Sequence, residues 1–66
     1  MERLLGPEEL AARYDRVTVE TLRYWRRKGT GPAWFRVGKH VQYRESDVLA
    51  YEAEQRAEQQ AGKRAS

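Results

Sequence analysis

Cysteine is absent from the 66 residues and histidine occurs once. Without thiols, neither a disulfide nor a thiolate metal site can staple so short a chain. A single histidine, His40, makes a poor metal centre by itself. The lack of cysteine also fits a reducing compartment. No apolar run approaches the roughly 18 residues of a membrane span, and none resembles the apolar core of a signal peptide. No glycine-rich phosphate loop ends in a Lys-Ser or Lys-Thr pair, and no nucleophile constellation is present. These absences point away from an enzyme, a membrane protein or a cofactor carrier, and toward a binding module that needs no cofactor.

Apolar residues are also scarce, at 39% of the chain. A chain this short buries only about 60% of its unfolded surface on folding. Its single core is therefore expected to supply roughly 3–5 kcal/mol. One domain over residues 1–60 accounts for the sequence, followed by a tail over 61–66 expected to be disordered.

Charge is present in quantity and is unevenly placed. Residues 1–15 carry two basic and four acidic groups, net −2. Residues 16–44 carry eight basic groups against Glu20 alone, net +7. Residues 45–66 carry three basic and five acidic groups, net −2. A basic middle between acidic flanks is the electrostatic footprint of a nucleic-acid binder.

Along the chain, Pro7 suits a first helical turn, and Glu8 and Glu9 suit the positive end of a helix dipole. Leu10 and Tyr14, with Ala11 beside them, form an apolar stripe. The pattern predicts a helix over residues 7–14. A tight connection, Asp15-Arg16-Val17, follows, with Val17 as its core plug. Thr18 is a good N-cap, with Thr21 three residues on. The second helix should run to about Lys28 and stop at Gly29 in left-handed geometry.

At 100° per residue, Leu22, Trp25 and Thr18 share one side of this second helix. Val19, Arg26 and Thr21 border that side. Glu20, Arg23, Tyr24 and Arg27 face away. Trp25 is therefore read as core, and Arg26 as laying its methylenes along Trp25 with its head outward. The helix resolves as one apolar side for the protein and one cationic side for a polyanion.

Residues 33–44, "AWFRVGKHVQYR", read as a β-hairpin. A three-residue loop, Gly38-Lys39-His40, would pair Val37 with Val41 and Phe35 with Tyr43, putting all four on one apolar face. Arg36 and Gln42 would share the other face, with Lys39 and His40 at the tip. A last helix starts near Ser46, capped by it or by the residue before. Val48, Leu49 and Tyr51 are its docking residues. From Glu52 to Gln60 the helix propensity is high but little can be buried, so this part should project, fray or meet a partner.

The order helix, tight turn, basic helix, hairpin, helix describes an α+β fold, a small winged helix-turn-helix. "PEELA", "TVETLRYWRRKG", "GTGP", "FRVGKHVQYR" and "SDVLAY" together resemble the excisionase-type DNA-binding proteins. These are small relatives of the DNA-binding domain of the mercury-resistance-regulator (MerR) superfamily, and the resemblance covers about residues 3–52. In "YDRVTVE", Asp15 and Arg16 stand where the family more often has Leu-Gly. Asp tolerates left-handed geometry, so the turn should survive.

The resemblance implies double-stranded DNA as partner, with the second helix in the major groove and the hairpin as a wing. On the helix, Arg23 can read guanine and Glu20 can accept from cytosine, or Glu20 merely offsets neighbouring arginines. Tyr24 either bonds a phosphate or faces water. Arg27 and Lys28 suit phosphates, and Thr21 a phosphate or a thymine methyl. On the wing, Arg36, Lys39 and His40 fit phosphate or minor-groove contacts, plain exposure being the alternative for His40. Arg16 touches a phosphate from the turn or nothing, and Arg44 pairs with DNA or with an acid of the last helix.

Three functions follow. One is a recombination directionality factor of a bacteriophage or mobile element, which bends attachment-site DNA and promotes integrase-mediated excision. Such a factor would work with cooperative neighbours on DNA, as a weak homodimer or beside an integrase. The motive is that the chain is almost entirely DNA-binding module. The second is a small transcriptional regulator dimerising on promoter DNA, against which residues 52–60 lack an apolar heptad. The third is a module whose basic face binds an acidic protein. The first two place the chain in a bacterial cytoplasm, on the nucleoid and away from membranes.

Overall fold

A computed structural model describes residues 2–65, with side chains described through Gln59. The elements are β1 (Leu4–Leu5), α1 (Pro7–Arg13), α2 (Val19–Lys28), β2 (Phe35–Val37), β3 (His40–Arg44) and α3 (Glu45–Ala65). The antiparallel sheet has the order β1-β3-β2. This is an α+β winged helix-turn-helix in which β2 and β3 form the wing. The tail expected to be disordered, residues 61–66, falls outside the described side chains.

The two leading helices form for the reasons their sequences give. Pro7 opens α1, and the Glu9 carboxylate accepts from the Gly6 N–H at 3.1 Å. That bond, with Arg3 at 3.4 Å, holds the Glu9 carboxyl below the usual carboxylate range. Thr18 caps α2, its hydroxyl accepting from the Thr21 N–H at 3.2 Å. At the other end Gly29 has φ +77°. The Thr30 N–H donates to the Trp25 carbonyl at 2.9 Å and the Gly29 N–H to that of Arg26 at 3.3 Å, the paired bonds of a Schellman cap. The turn between α1 and α2 contains no positive φ. Asp15 therefore does not use the left-handed geometry its family position suggested.

Leu5, Leu10, Ala11, Leu22, Tyr43 and Val48 make the core, with Tyr14, Val17, Val19, Trp25 and Val41 packed against it. Each fully buried aliphatic side chain contributes about 1.5–3 kcal/mol relative to exposure. Every element except β2 supplies at least one of the buried six, α1 supplying two. Leu49, expected to dock, is instead 50% exposed: with Val48 turned fully inward, the next residue lies 100° around the helix.

β1 has no counterpart in the sequence reading. It pairs Leu4 with Arg44 and Leu5 with Tyr43, which buries Leu5 and leads the N-terminal segment to the start of α3. There the Glu45 N–H donates to the Arg3 carbonyl at 3.0 Å, and the Ser46 N–H to the Glu2 carboxylate at 2.9 Å. The α3 cap thus comes from the other end of the chain rather than from Ser46 or its neighbour. The bonds from Ser46 hold the Glu2 carboxyl below its usual range.

The hairpin register also differs from expectation. The loop has two residues, Gly38 and Lys39, and the pairs are Phe35–Gln42, Arg36–Val41 and Val37–His40. Gly38 takes φ +62° while Lys39 does not go positive. A glycine with positive φ at the first central position is the type II′ arrangement, whose twist matches the flanking strands. The turn outweighs the tidier apolar pairing. Val41 and Tyr43 face the core, while Phe35 lies half-buried beneath Arg44 and Val37 is 54% exposed.

α3 is tied down beyond its last apolar anchor by a polar node. Arg13 donates twice to Glu52, at 2.6 and 3.0 Å, and the Tyr14 hydroxyl donates at 2.6 Å. Arg13 and then Tyr14 hold the Glu52 carboxyl down at about 2. Burial and the Glu52 carboxylate push the Tyr14 hydroxyl up. Past Gln55 the described side chains of α3 are exposed, as the alanine-rich sequence leads one to expect.

Candidate nucleic-acid interface

Leu22, fully buried, fixes the rotation of α2. Val19, Thr21, Trp25 and Arg26 are half-buried along its borders, and Glu20, Arg23, Tyr24, Arg27 and Lys28 are exposed. This is the division that 3.6-residue periodicity demands. Trp25 is a border residue and not fully core: it packs against Tyr51, with ring centroids 5.8 Å apart, and against the backbone at Gly31.

On the exposed side, Arg23 and Glu20 form a one-turn ion pair at 3.2 Å. Both are well exposed, so the pair is weak and can exchange for outside partners at little cost. Lys28 lies over the Tyr24 ring at 5.7 Å. The Thr21 hydroxyl sits 3.1 Å from that of Thr18, inside the first turn.

The observed register changes what the wing presents. Because Arg36 pairs with Val41, it shares the face of Val41 and Tyr43, the face turned to the helices, and not that of Gln42. Trp34 precedes Arg36 by two residues and is on the same side. Arg36 lies over the Trp34 ring at 5.7 Å, and Arg26, from α2, approaches the same ring at 5.8 Å. The Arg26 head is not simply outward: its Nη1 donates to the Tyr43 hydroxyl at 2.7 Å.

Two open clefts result. One, about 350 Å³, is lined by Arg23, Arg26, Arg27, Trp34 and Arg36. The other, about 470 Å³, lies between the start of α1, α2 and the wing tip, where Lys39 and His40 join Arg23 and Arg26. Arg23 and Arg26 line both clefts, so the cations of α2 and of the wing belong to one continuous surface. Glu8 and Glu9 border the second cleft, and among the described residues no carboxylate lines the first.

Of the residues singled out from the sequence, Arg23, Arg27, Arg36, Lys39 and His40 are brought to these clefts. Glu20, Tyr24 and Lys28 lie on the same exposed side of α2. Arg16 is exposed in the turn and lines neither cleft. Sequence reasoning read Arg26 only as packing along Trp25 with its head outward and gave Trp34 no role, so it missed both as lining residues of the first cleft. The available signal was the Trp34–Arg36 alternation, legible only once the strand register is known.

Among the described residues no group of three or more His, Asp or Glu side chains converges in a metal-holding arrangement. Nor is any helix among them long and apolar enough to cross a membrane. The family model described as a helix-turn-helix domain matches residues 4–56. No curated protein and no solved structure matches the chain significantly.

Proposed function

Because the chain belongs to the helix-turn-helix domain family, we propose that it binds double-stranded DNA sequence-specifically, with α2 in the major groove and the β2–β3 wing on the flanking backbone. The observation that carries this reading is the convergence of the α2 and wing cations on one surface, across clefts shared by Arg23 and Arg26. In this reading Arg23 leaves Glu20 to bond guanine O6 and N7, and Glu20 accepts from a cytosine N4. Arg27, Lys28, Arg36, Lys39 and His40 contact the backbone or minor groove, which orients the helix without reading sequence. Tyr24 supports Lys28. The chain acts as a binding module and not as an enzyme.

The biological role we propose is that of an excisionase-type recombination directionality factor, supported by the ordered motifs from "PEELA" to "SDVLAY". Along α3 the described residues after Tyr51 offer only alanines as apolar groups, which favours weak or DNA-assembled association over a coiled-coil dimer. The test is selection of binding sites from a random duplex library, followed by footprinting on the DNA flanking the gene. Several phased sites beside an attachment site are expected. One palindrome over a promoter would assign a transcriptional regulator instead, and no salt-sensitive association with any duplex would end the DNA reading.

A further inference from the structure

Trp34 does not belong to the hydrophobic core. It is 38% exposed, yet among the described residues it is the only aromatic side chain lining the cleft between α2 and the wing. Two guanidiniums from different elements converge on its ring at nearly equal distances, 5.8 Å for Arg26 and 5.7 Å for Arg36. Both lie within the roughly 6 Å over which a ring attracts a cation. Among the described residues, no carboxylate forms an ion pair with Arg26, Arg27 or Arg36. Converging cations repel one another, and among the described residues no carboxylate lines the cleft to offset that repulsion, Glu20 being paired with Arg23. The Tyr43 hydroxyl engages one Nη of Arg26 at 2.7 Å, leaving the other donors of that guanidinium free. A small tetrahedral anion bearing several acceptors fits such a cleft, and planar guanidinium forks are suited to it.

From this geometry we propose that Trp34 is a positioning residue that holds Arg26 and Arg36 as a two-pronged clamp on a single backbone phosphate of duplex DNA. The proposal rests on the DNA-binding reading above and adds a defined seat for one phosphodiester at the seam between helix and wing. Trp34 itself carries no charge and makes no contact with a base. Its indole fixes the angle between the two guanidiniums, so that both reach the same phosphate when the seam meets the backbone.

A neutral substitution separates this role from its rivals. Each phosphate neutralised by the protein adds about 0.9 to the slope of log K against log salt. Trp34→Ala removes no charge, so a tryptophan that stacks on a base or only packs would change affinity and leave that slope alone. The expected result for Trp34→Ala on the selected duplex is a roughly tenfold loss, the scale of one charge-assisted contact, with the slope lower by about 0.9. Arg36→Gln should give the same change, and the double variant should lose no more than either single one. Trp34→Leu serves alongside, and circular dichroism of each free variant establishes that it is folded.

Loss of affinity at constant slope would overturn the clamp, as would additive slope changes in the double variant or an unaltered Trp34→Ala. If the wild-type protein binds no duplex at all, the DNA reading falls first and the clamp with it. If it binds with the expected salt dependence but Trp34→Ala keeps the full slope, only the clamp falls.

Discussion

Replacing Gly31 by alanine tests how α2 is held against the body of the protein, with Gly29→Ala as an internal control. Both glycines have positive φ, +77° for Gly29 and +83° for Gly31. An L side chain in that region costs about 1–2 kcal/mol at either position. They differ in what a methyl group would meet. At Gly29 nothing lies within 4 Å, whereas at Gly31 a Cβ would fall 2.8 Å from Trp25 Cε3 and 3.2 Å from Trp25 Cβ. Rotating the indole cannot relieve the second contact, because that atom is fixed to the helix backbone. The ring is also confined by Tyr51 on α3. Overpacking of this kind adds about 1–3 kcal/mol.

Gly29→Ala should therefore lose about 1–2 kcal/mol and Gly31→Ala about 2–5 kcal/mol. Against a total near 3–5 kcal/mol for so small a domain, the first variant keeps about 1–4 kcal/mol and stays folded, while the second keeps about 3 kcal/mol at most and has the lower urea midpoint of the two. Urea titration followed by far-ultraviolet circular dichroism measures both. Adding Trp25→Leu, which trims the indole, should make the Gly31→Ala loss smaller than it is in the wild-type background. Equal losses at the two glycines, or no coupling to position 25, would refute a rigid Trp25–Gly31 contact.

Trp25→Ala should cost about 3 kcal/mol, the low end for a tryptophan because the residue is half-buried, and lower the urea midpoint sharply; a near-neutral change would mean that the Tyr51 contact does not anchor α3. Arg23→Ala should lose about 1–3 kcal/mol on the selected site and relax preference at a single base pair, read by anisotropy on duplexes varied at that pair; a uniform loss across sequences would reassign Arg23 to a phosphate. Lys39→Ala should weaken all duplexes alike and lower the salt slope by about one, and a sequence-selective effect would contradict its wing role. The Arg13–Glu52 bond predicts a pH dependence. Glu52 sits at about 2 when folded against an ordinary 4.5, so the unfolded chain binds the extra proton between those values and stability rises with pH there. The melting temperature of the wild-type protein should exceed that of Glu52→Gln above pH 4.5, with the gap closing as the pH falls toward 2; a constant gap across that window would show that the bond is not formed.

Local chemistry was sufficient for α1 and α2 and for which side of α2 faces out. Pro7 with the Gly6–Glu9 bond, Thr18 and Gly29 set their ends within a few residues, and the period of Leu22 and Trp25 set the rotation of α2. The cationic side of α2 followed, because a helix bearing Leu22 inward has no choice about Arg23 and Arg27. Long-range pairing decided the rest. The β1 strand is two leucines whose extended form depends on Arg44 and Tyr43 across the sheet. The α3 cap came from Glu2, 44 residues away in the chain, and the Glu52 node joined residues with no sequence relation to suggest it. The wing register was chosen by a turn that a single positive φ at Gly38 permits. Since side chains alternate along a strand, that one choice moved Arg36 to the face of α2 and set it beside Trp34 and Arg26. Composition placed the positive charge in the middle of the chain; only the packing of wing against helix made those charges a single surface, because a strand's face is fixed by its partner and not by its own residues.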